Sequence, residues 1–234
     1  MSANPAAAAA ASAAAASAAE AVAAGTPTAI ADAIVVLFAE RGGRHYGENV
    51  TEREHALQCA ALAERAGDSP AVVLAALLHD VGHLLHDLGE LIAEVGVDAR
   101  HEELGAEWLT NLFPPEIVEP VRLHVAAKRY LCGHSARYAA SLSAASTTSL
   151  RLQGGPMNDA ERDDFERRPH FHAAIRVRLH DDHGKVAGLA TKSIVDYRPL
   201  IEQFAQVAQT ARSGRVPDQA AVVNDAGATD PQRP

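Results

Sequence analysis

Aromatic residues are scarce in this chain of 234 residues, where they make up 4%. Strands are rich in aromatic and β-branched side chains, so the scarcity argues against a β-sandwich. Hydrophobic residues still reach 47%, a figure raised by the alanine-rich first 24 residues. A core made from leucine, valine, isoleucine and alanine favours close-packed helices, and the predicted fold class is therefore all-α.

Long basic and long apolar segments are also missing. The formal net charge is −9 and no long basic run is present, whereas a nucleic-acid duplex needs a positive protein face. No apolar run approaches the roughly 20 residues that span a bilayer, and the alanine-rich N-terminus lacks the basic and leucine-rich parts of a signal peptide. We expect a cytoplasmic protein without nucleic-acid or membrane partners, while a local pocket of two or three cations for a small anion stays open.

Cysteine is nearly absent. Cys59 and Cys132 stand alone, without the spacing of a metal-binding motif. Thiols stay reduced in the cytoplasm, so two free thiols are favoured here over a disulfide.

The two ends of the chain differ in composition from the middle. Residues 1–27 are of low complexity and offer few large side chains for docking, and residues 213–234 are rich in glycine, proline and polar residues. Both are predicted to be disordered tails. The predicted folded unit spans residues 28–212.

Helical periodicity and helix-start signals run through the folded unit. Thr51 and Glu54 form a capping box, and Ser69 precedes a proline at a helix start. The helix that follows is apolar nearly all round, which predicts a buried central helix. Helices are predicted at residues 30–41, 51–67, 71–85, 99–112, 115–131, 135–150, 159–167, 170–182 and 193–212.

A histidine and an aspartate, His79 and Asp80, end the most apolar stretch of the chain. Buried polar groups of this kind destabilise the fold by several kcal/mol unless they are paired or ligated. A metal ion would bind both the imidazole and the carboxylate, and a carboxylate can bridge two ions. The alternative is a helix-terminal aspartate beside a hydrogen-bonded histidine.

Further candidate ligands lie on successive predicted helices. They are His55, His101, His124 and Asp181. Together with the His79–Asp80 pair they give the ligand order of a dinuclear HD-domain site. Imidazole and carboxylate donors suit iron, manganese or zinc better than magnesium or calcium.

The remaining histidines lie in polar or loop segments, and most are predicted to be surface residues. Among them, His86 is near the cluster of candidate ligands, and its assignment to the surface is the weakest. They are His45, His86, His134, His170, His172, His180 and His183.

Longer strings around these residues resemble the HD-domain mixed-valent di-iron oxygenases that cleave carbon–phosphorus bonds. The resemblance covers about residues 30 to 205 and is greatest to members acting on 2-amino-1-hydroxyethylphosphonate. The HD pair alone is shared with many phosphohydrolases, and residues 128–132 and 153–157 are more specific. The strings span residues 46–51, 54–58, 78–85, 124–132, 152–157 and 178–182.

The resemblance implies which residues are the protein ligands of an Fe(II)/Fe(III) pair. The implied ligands of one iron are His55, His79, Asp80 and Asp181. Those of the other are His101, His124 and the bridging Asp80.

The resemblance also implies a substrate site. The phosphonate would contact His83, Lys128, Ser146, Gln153 and Arg178. Tyr46 and Glu48 would form a mobile gate and, with His83, the catalytic group. The spacing is consistent with this, because Lys128 follows His124 by four residues and Arg178 precedes Asp181 by three. The alternative for each cation is a solvated surface charge.

The implied reaction consumes dioxygen and converts a 1-hydroxy-2-(amino or trimethylammonio)ethylphosphonate into phosphate and glycine or glycine betaine. Tyr46 and Glu48 are separated by one residue, where the pattern has two, and His180 replaces an aromatic residue. These departures leave the amine substituent open. The sequence also leaves open a homo-oligomer.

Two other functions share the metal ligands. An HD-type metal-dependent phosphohydrolase would use the ions to activate water against a phosphate ester. A non-catalytic binding or signalling module is disfavoured, because such a domain would be free to lose ligands. Oxygen consumption tied to substrate separates the first alternative from an oxygenase.

Overall fold

The computed structural model describes residues 25–45, 49–86 and 100–214, and within them the fold is all-α, as predicted. One isolated bridge joins His45 and Thr51, and no strand is present in these ranges. A 3-10 helix (Ile194–Tyr197) precedes the last helix. The α-helices are α1 (Pro27–Arg41), α2 (Glu52–Arg65), α3 (Pro70–Leu78), α4 (Val81–Leu84), α5 (His101–Leu109), α6 (Pro115–His134), α7 (Ala136–Ser141), α8 (Ala144–Leu152), α9 (Asp159–Glu166), α10 (Phe171–His183) and α11 (Arg198–Arg212).

Side-chain caps begin the helices that carry the first ligands. The predicted capping box is confirmed, since Thr51 Oγ1 accepts from Glu54 N at 3.2 Å and Glu54 Oε2 accepts from Thr51 N at 2.8 Å. Ser69 Oγ accepts from Val72 N at the start of α3. These bonds satisfy backbone donors that the first turn of a helix leaves open.

The core is centred on α3, in which every residue from Val72 to Leu78 is buried. Helices α2, α6, α10 and α11 pack around it, so the predicted central helix is confirmed. On the outer side α1 pairs with α11, where Ile34 and Phe38 share one apolar cluster with Ile201. Burial of this apolar surface is the main stabilising term of the fold.

Two predicted helices are interrupted. The predicted helix 71–85 breaks after Leu78, where Asp80 adopts φ −102° and ψ 13°. Consecutive side chains diverge by about 100° on a regular helix, and the break lets His79 and Asp80 approach one centre. The predicted helix 135–150 breaks at Leu142 (ψ 143°), after which Ser143 caps α8.

The predicted tails lie mostly outside the described ranges, so their disorder stays a prediction. The chain enters the fold at Thr26, whose hydroxyl accepts from Ala29 N and caps α1. Among the helices of the described ranges, none has both the length and the apolar character needed to cross a membrane.

Candidate metal centre

Side chains from four helices and one junction between helices converge at a single buried point. His55 and His79 are fully buried, and His124 and Asp181 are each 2% exposed. Asp80 lies at the break between α3 and α4, and His101 begins α5 as predicted. The six candidate ligands therefore meet although they are spread over about half of the chain.

Asp80 lies between two pairs of imidazoles. His55 Nε2 and His79 Nε2 are 3.2 Å apart and face Asp80 Oδ2 at 3.4 and 3.2 Å. His101 Nε2 and His124 Nε2 are 3.1 Å apart and face Oδ1 at 3.2 and 3.4 Å. One carboxylate oxygen thus serves each pair, which is the geometry of a bridging ligand.

The outer nitrogens of three imidazoles fix the role of the inner ones. His55, His79 and His124 each direct Nδ1 at a backbone carbonyl oxygen, at 2.9, 2.9 and 2.7 Å. A carbonyl only accepts, so Nδ1 carries the proton and the neutral ring leaves a lone pair on Nε2. Second-shell bonds of this kind orient metal-binding histidines.

This arrangement fits metal ions better than it fits the protein alone. The Nε2 atoms of neighbouring imidazoles approach to 3.1 and 3.2 Å, and in the His55–His79 pair two lone pairs point at one another. Asp80 Oδ2 is buried without a hydrogen-bond partner in the described part of the chain. A cation at each pair would satisfy both the nitrogens and the orphaned oxygen.

The charges at the centre favour ionised carboxylates. Burial raises the pKa of Asp80, but nearby imidazoles, foremost His79, lower it well below its usual range. Burial also raises the pKa of Asp181, and Arg178 and Lys185 lower it well below the usual range. Both groups are therefore charged and ready to bind a cation.

Glycine makes the close approach around His101 possible. A Cβ at Gly82 would lie 2.0 Å from the carbonyl oxygen of His101, so α4 and α5 could not touch with any larger residue there. The ring of His83 stacks on that of His101 with centroids 4.1 Å apart. Burial and the charge of His101 lower the pKa of His83 well below its usual value, which leaves a neutral imidazole beside the centre.

The two predicted substrate cations are buried, so the alternative of solvated surface charges is wrong for both. Lys128 is 3% exposed and donates from Nζ to Ser149 Oγ at 2.9 Å. Burial, followed by the charge of Arg178, lowers its pKa to about 8. Arg178, also 3% exposed, donates from Nη1 to Asp181 Oδ2 at 2.5 Å.

Arg178 is held by two residues that the sequence analysis did not select. Its Nη2 pairs with Asp182 Oδ1, and its Nε donates to Tyr138 Oη at 3.0 Å. Tyr138 in turn donates to Asp182 Oδ2 at 2.5 Å. The guanidinium is therefore oriented from three sides, with the carboxylate of Asp181 on one of them.

A third buried cation, Lys185, was also missed. Its Nζ lies 3.7 Å from Asp181 Oδ1 and 3.5 Å from the Oγ of Ser146, which is 8% exposed. Lys185 follows Asp181 by four residues, the same spacing that drew attention to Lys128 after His124. The four-residue spacing from Asp181 could therefore have identified Lys185 from the sequence.

Three of the predicted substrate and gate residues are not brought to the cluster by described contacts. Gln153 borders a cleft of about 240 Å³ with Glu102, Arg122 and other residues, and neither the metal ligands nor the other predicted substrate residues line it. Tyr46 and Glu48 lie outside the described residues. Their roles stay predictions.

One of the remaining histidines departs from the predicted surface position. His180 is 7% exposed and its Nε2 lies 2.5 Å from Asp68 Oδ2. Asp68 also accepts two hydrogen bonds from Arg176. His45, His134, His172 and His183 are exposed, as predicted, and His86 and His170 are partly buried.

The helical fold and the histidine–aspartate cluster define an HD-domain metalloprotein. A family model described as the HD domain matches residues 53–153. The chain is 42% identical over 176 residues to the 1-hydroxy-2-(trimethylamino)ethyl phosphonate dioxygenase (glycine-betaine-forming) of Leisingera caerulea, which covers 75% of this chain and 90% of that protein.

Two further relatives have similar coverage. The chain is 41% identical over 178 residues to the hydroxymethylphosphonate dioxygenase of Gimesia maris, covering 76% of this chain and 89% of that protein. It is 33% identical over 177 residues to an uncharacterized protein of Acanthamoeba polyphaga mimivirus, covering 74% and 80%. The chain belongs to the family of HD-domain phosphonate dioxygenases, which confirms the resemblance and does not favour the phosphohydrolase.

Proposed function

We propose that this enzyme cleaves the carbon–phosphorus bond of a 1-hydroxy-2-(amino or trimethylammonio)ethylphosphonate with dioxygen at a mixed-valent di-iron centre. The products are phosphate and glycine or glycine betaine. The position of Asp80 between two imidazole pairs, with buried cations alongside, carries the proposal. The names of two relatives, both dioxygenases of hydroxylated phosphonates, support it.

Two iron ions would be bound by ligands from both sides of the bridging carboxylate. The ligands of one are His55, His79, Asp80 and Asp181, and those of the other are His101, His124 and Asp80. When bound, the iron pair supplies the redox chemistry that activates dioxygen. The mixture of imidazole and carboxylate donors suits iron, and three or four protein ligands for each ion leave coordination positions for the substrate.

The chain's own residues would bind and orient the phosphonate. Lys128 and Arg178 are buried cations, and cations without bulk water form strong charge-assisted bonds to oxyanions. The Ser146 hydroxyl would donate a hydrogen bond to the phosphonate. The neutral ring of His83, stacked on His101, would accept a proton from the substrate. Gln153 would contribute its side-chain amide after a rearrangement of its end of α8.

The two named relatives act on substrates that differ beyond the hydroxylated carbon. The name of one includes a trimethylamino group, and the name of the other denotes a hydroxymethylphosphonate without it. Their shared part is the hydroxyl and the phosphonate, the part that the metal ligands and cations would bind. The amine would be recognised elsewhere, and we assign that role to Tyr46 and Glu48, an aromatic ring and a carboxylate suited to a cationic group.

Phosphate release from iron-loaded protein tests the function. We would supply the trimethylammonio, primary-amine and unsubstituted hydroxyphosphonates, each under air and under nitrogen. Dioxygen-dependent release of phosphate, with one dioxygen consumed per phosphate, is expected. Equal release from a phosphate ester under nitrogen would instead indicate the phosphohydrolase.

Glu48→Ala is expected to change the ratio of the rates on the trimethylammonio and primary-amine substrates. An equal slowing of both would show that the gate has a general role and does not recognise the amine.

A further inference from the structure

Lys185 points inward from a segment that otherwise faces solvent. It lies just beyond α10, next to Val186, which is 52% exposed, yet its own side chain is 11% exposed. An ammonium on a long flexible stem is easily solvated, so burial of one beside a metal centre requires anionic or polar groups around it. Those that lie within 4 Å include Asp181 Oδ1 and Ser146 Oγ.

The backbone on both sides of Lys185 is fixed by α2. The carbonyl oxygen of Gly184 accepts from the ring of His55 at 2.9 Å. Gln58 bonds to both backbone groups of Val186, donating to the carbonyl oxygen at 2.8 Å and accepting from the N–H at 2.9 Å. A Cβ at Gly184 would lie 2.5 Å from Cys59 Sγ. Lys185 is therefore held in place by the same helix that supplies a candidate ligand.

The contacts of Lys185 place its ammonium beside a metal ligand, within reach of an anion bound at the centre. Asp181 Oδ1, 3.7 Å from Lys185 Nζ, is also the oxygen that faces His55 Nε2, at 3.5 Å. Ser146 Oγ lies on the other side at 3.5 Å. Both distances exceed the 2.7–3.2 Å of a well-formed hydrogen bond.

The charges around the centre favour binding of an anion once metal is bound. The positive groups include Lys128, Arg178 and Lys185. The carboxylates include Asp80, Asp181, Asp182 and Glu102. Two multivalent cations would leave a large positive excess in a region with little water, and an oxyanion of the substrate would reduce it.

We propose that Lys185 is a further substrate-binding residue, the third cation around the phosphonate, which it would contact together with Ser146. This inference rests on the proposed function. It differs from a positioning role, in which Lys185 would only hold Asp181 for the metal.

Binding of methylphosphonate to anaerobic, metal-loaded protein tests the inference. We would compare the parent with Lys185→Met, which removes the charge and keeps the length, and with Lys185→Arg, which restores a charge. Lys192→Met is the matched control, because Lys192 is 55% exposed and paired with Glu64. Metal content and circular dichroism would be measured for each variant, and phosphate release under air for the parent.

The expected result is that Lys185→Met binds methylphosphonate about ten- to a hundredfold more weakly, as for a lost charge-assisted bond. Metal content should be unchanged, Lys185→Arg should recover part of the affinity, and Lys192→Met should match the parent. Equal binding by Lys185→Met and the parent would overturn the inference and leave the proposed function intact. Loss of metal by Lys185→Met would also overturn it, in favour of the positioning role.

Failure of the proposed function gives a different pattern. If the parent releases no phosphate under air but binds methylphosphonate more tightly than Lys185→Met, the reaction is wrong and the anion site stands. If the parent binds no methylphosphonate at all, the inference is overturned, and phosphate release under air decides the proposed function separately.

Discussion

The metal centre has two halves, with His55 and His79 on one side of Asp80 and His101 and His124 on the other. The two halves differ in rigidity. In the first half, His55 and His79 are fully buried and each bonds to a backbone carbonyl. In the second half, His124 is held in the same way, but the side chain of His101 is 12% exposed and its Nδ1 lies 3.6 Å from the carboxylate of Glu102. Backbone bonds and burial hold a ligand more rigidly than a side-chain contact near the surface.

The difference indicates a division of roles. The cations Arg178 and Lys185 lie against Asp181, on the side of the first half. The second half is bordered by His83, stacked on His101. A rigid half with fixed cations is suited to hold a charged group in one orientation, while the more accessible half is suited to exchange of ligands.

Asp80→Ala gives the largest expected effect because it removes the one group common to both halves. We expect loss of both metal ions and of dioxygen-dependent phosphate release. Elemental analysis of the purified variant measures the loss, with Asp163→Ala, an exposed acidic residue of α9, as a matched control. Two tightly held ions in Asp80→Ala would disprove the bridging role.

His55→Ala and His101→Ala should separate the two halves. Each is expected to lose one ion, but only His55→Ala should also destabilise the fold, because it breaks a buried bond to Gly184, a loss of about 1–3 kcal/mol. Urea unfolding of the metal-free variants measures the difference. Equal unfolding free energies would show that the two halves are equally rigid.

Much of the centre was predictable from the sequence, for a physical reason. A histidine and an aspartate buried at the end of an apolar helix need a hydrogen-bond partner or a metal ion. Helical periodicity places His55, His101 and His124 on inward faces. The full set of six candidate ligands came from combining these local rules with the ligand order of HD-domain sites. The family resemblance added the anion site, of which Lys128 and Arg178 are buried beside the ligands.

Other features depend on contacts between distant parts of the chain. The pairing of His180 with Asp68 joins residues 112 positions apart, and no local period marks it. The break at Asp80 was not predicted because the apolar run from Val72 to Leu78 that precedes it favours a continuous helix. The position of Lys185 beyond the end of α10 depends on the contacts of Gly184 and Val186 with α2.

Lys128→Ala tests the predicted anion site at a smaller expected effect. It should retain both ions, because its ammonium bonds to Ser149 rather than to a ligand. The KM for the hydroxyphosphonate should rise about ten- to a hundredfold, as expected for loss of a charge-assisted contact. An unchanged KM would place the phosphonate away from this side of the centre.

The smallest expected effect is a dependence on pH set by the same lysine. Burial and the charge of Arg178 lower the pKa of Lys128 to about 8, so the side chain is a cation below that pH and becomes neutral above it. Only the cation attracts an oxyanion, and the free enzyme's titration governs kcat/KM. We therefore expect kcat/KM to fall above pH 8, by up to about tenfold for each further unit.

Lys128→Arg supplies the control for this dependence. A guanidinium stays charged throughout the range, so the descending limb near pH 8 should disappear even if the changed shape lowers the rate. The kcat should vary less than kcat/KM, because a bound oxyanion stabilises the ammonium in the complex. If the fall of kcat/KM above pH 8 persists unchanged in Lys128→Arg, another group is responsible for the titration. Lys128 would then not be the pH-sensitive residue of the anion site.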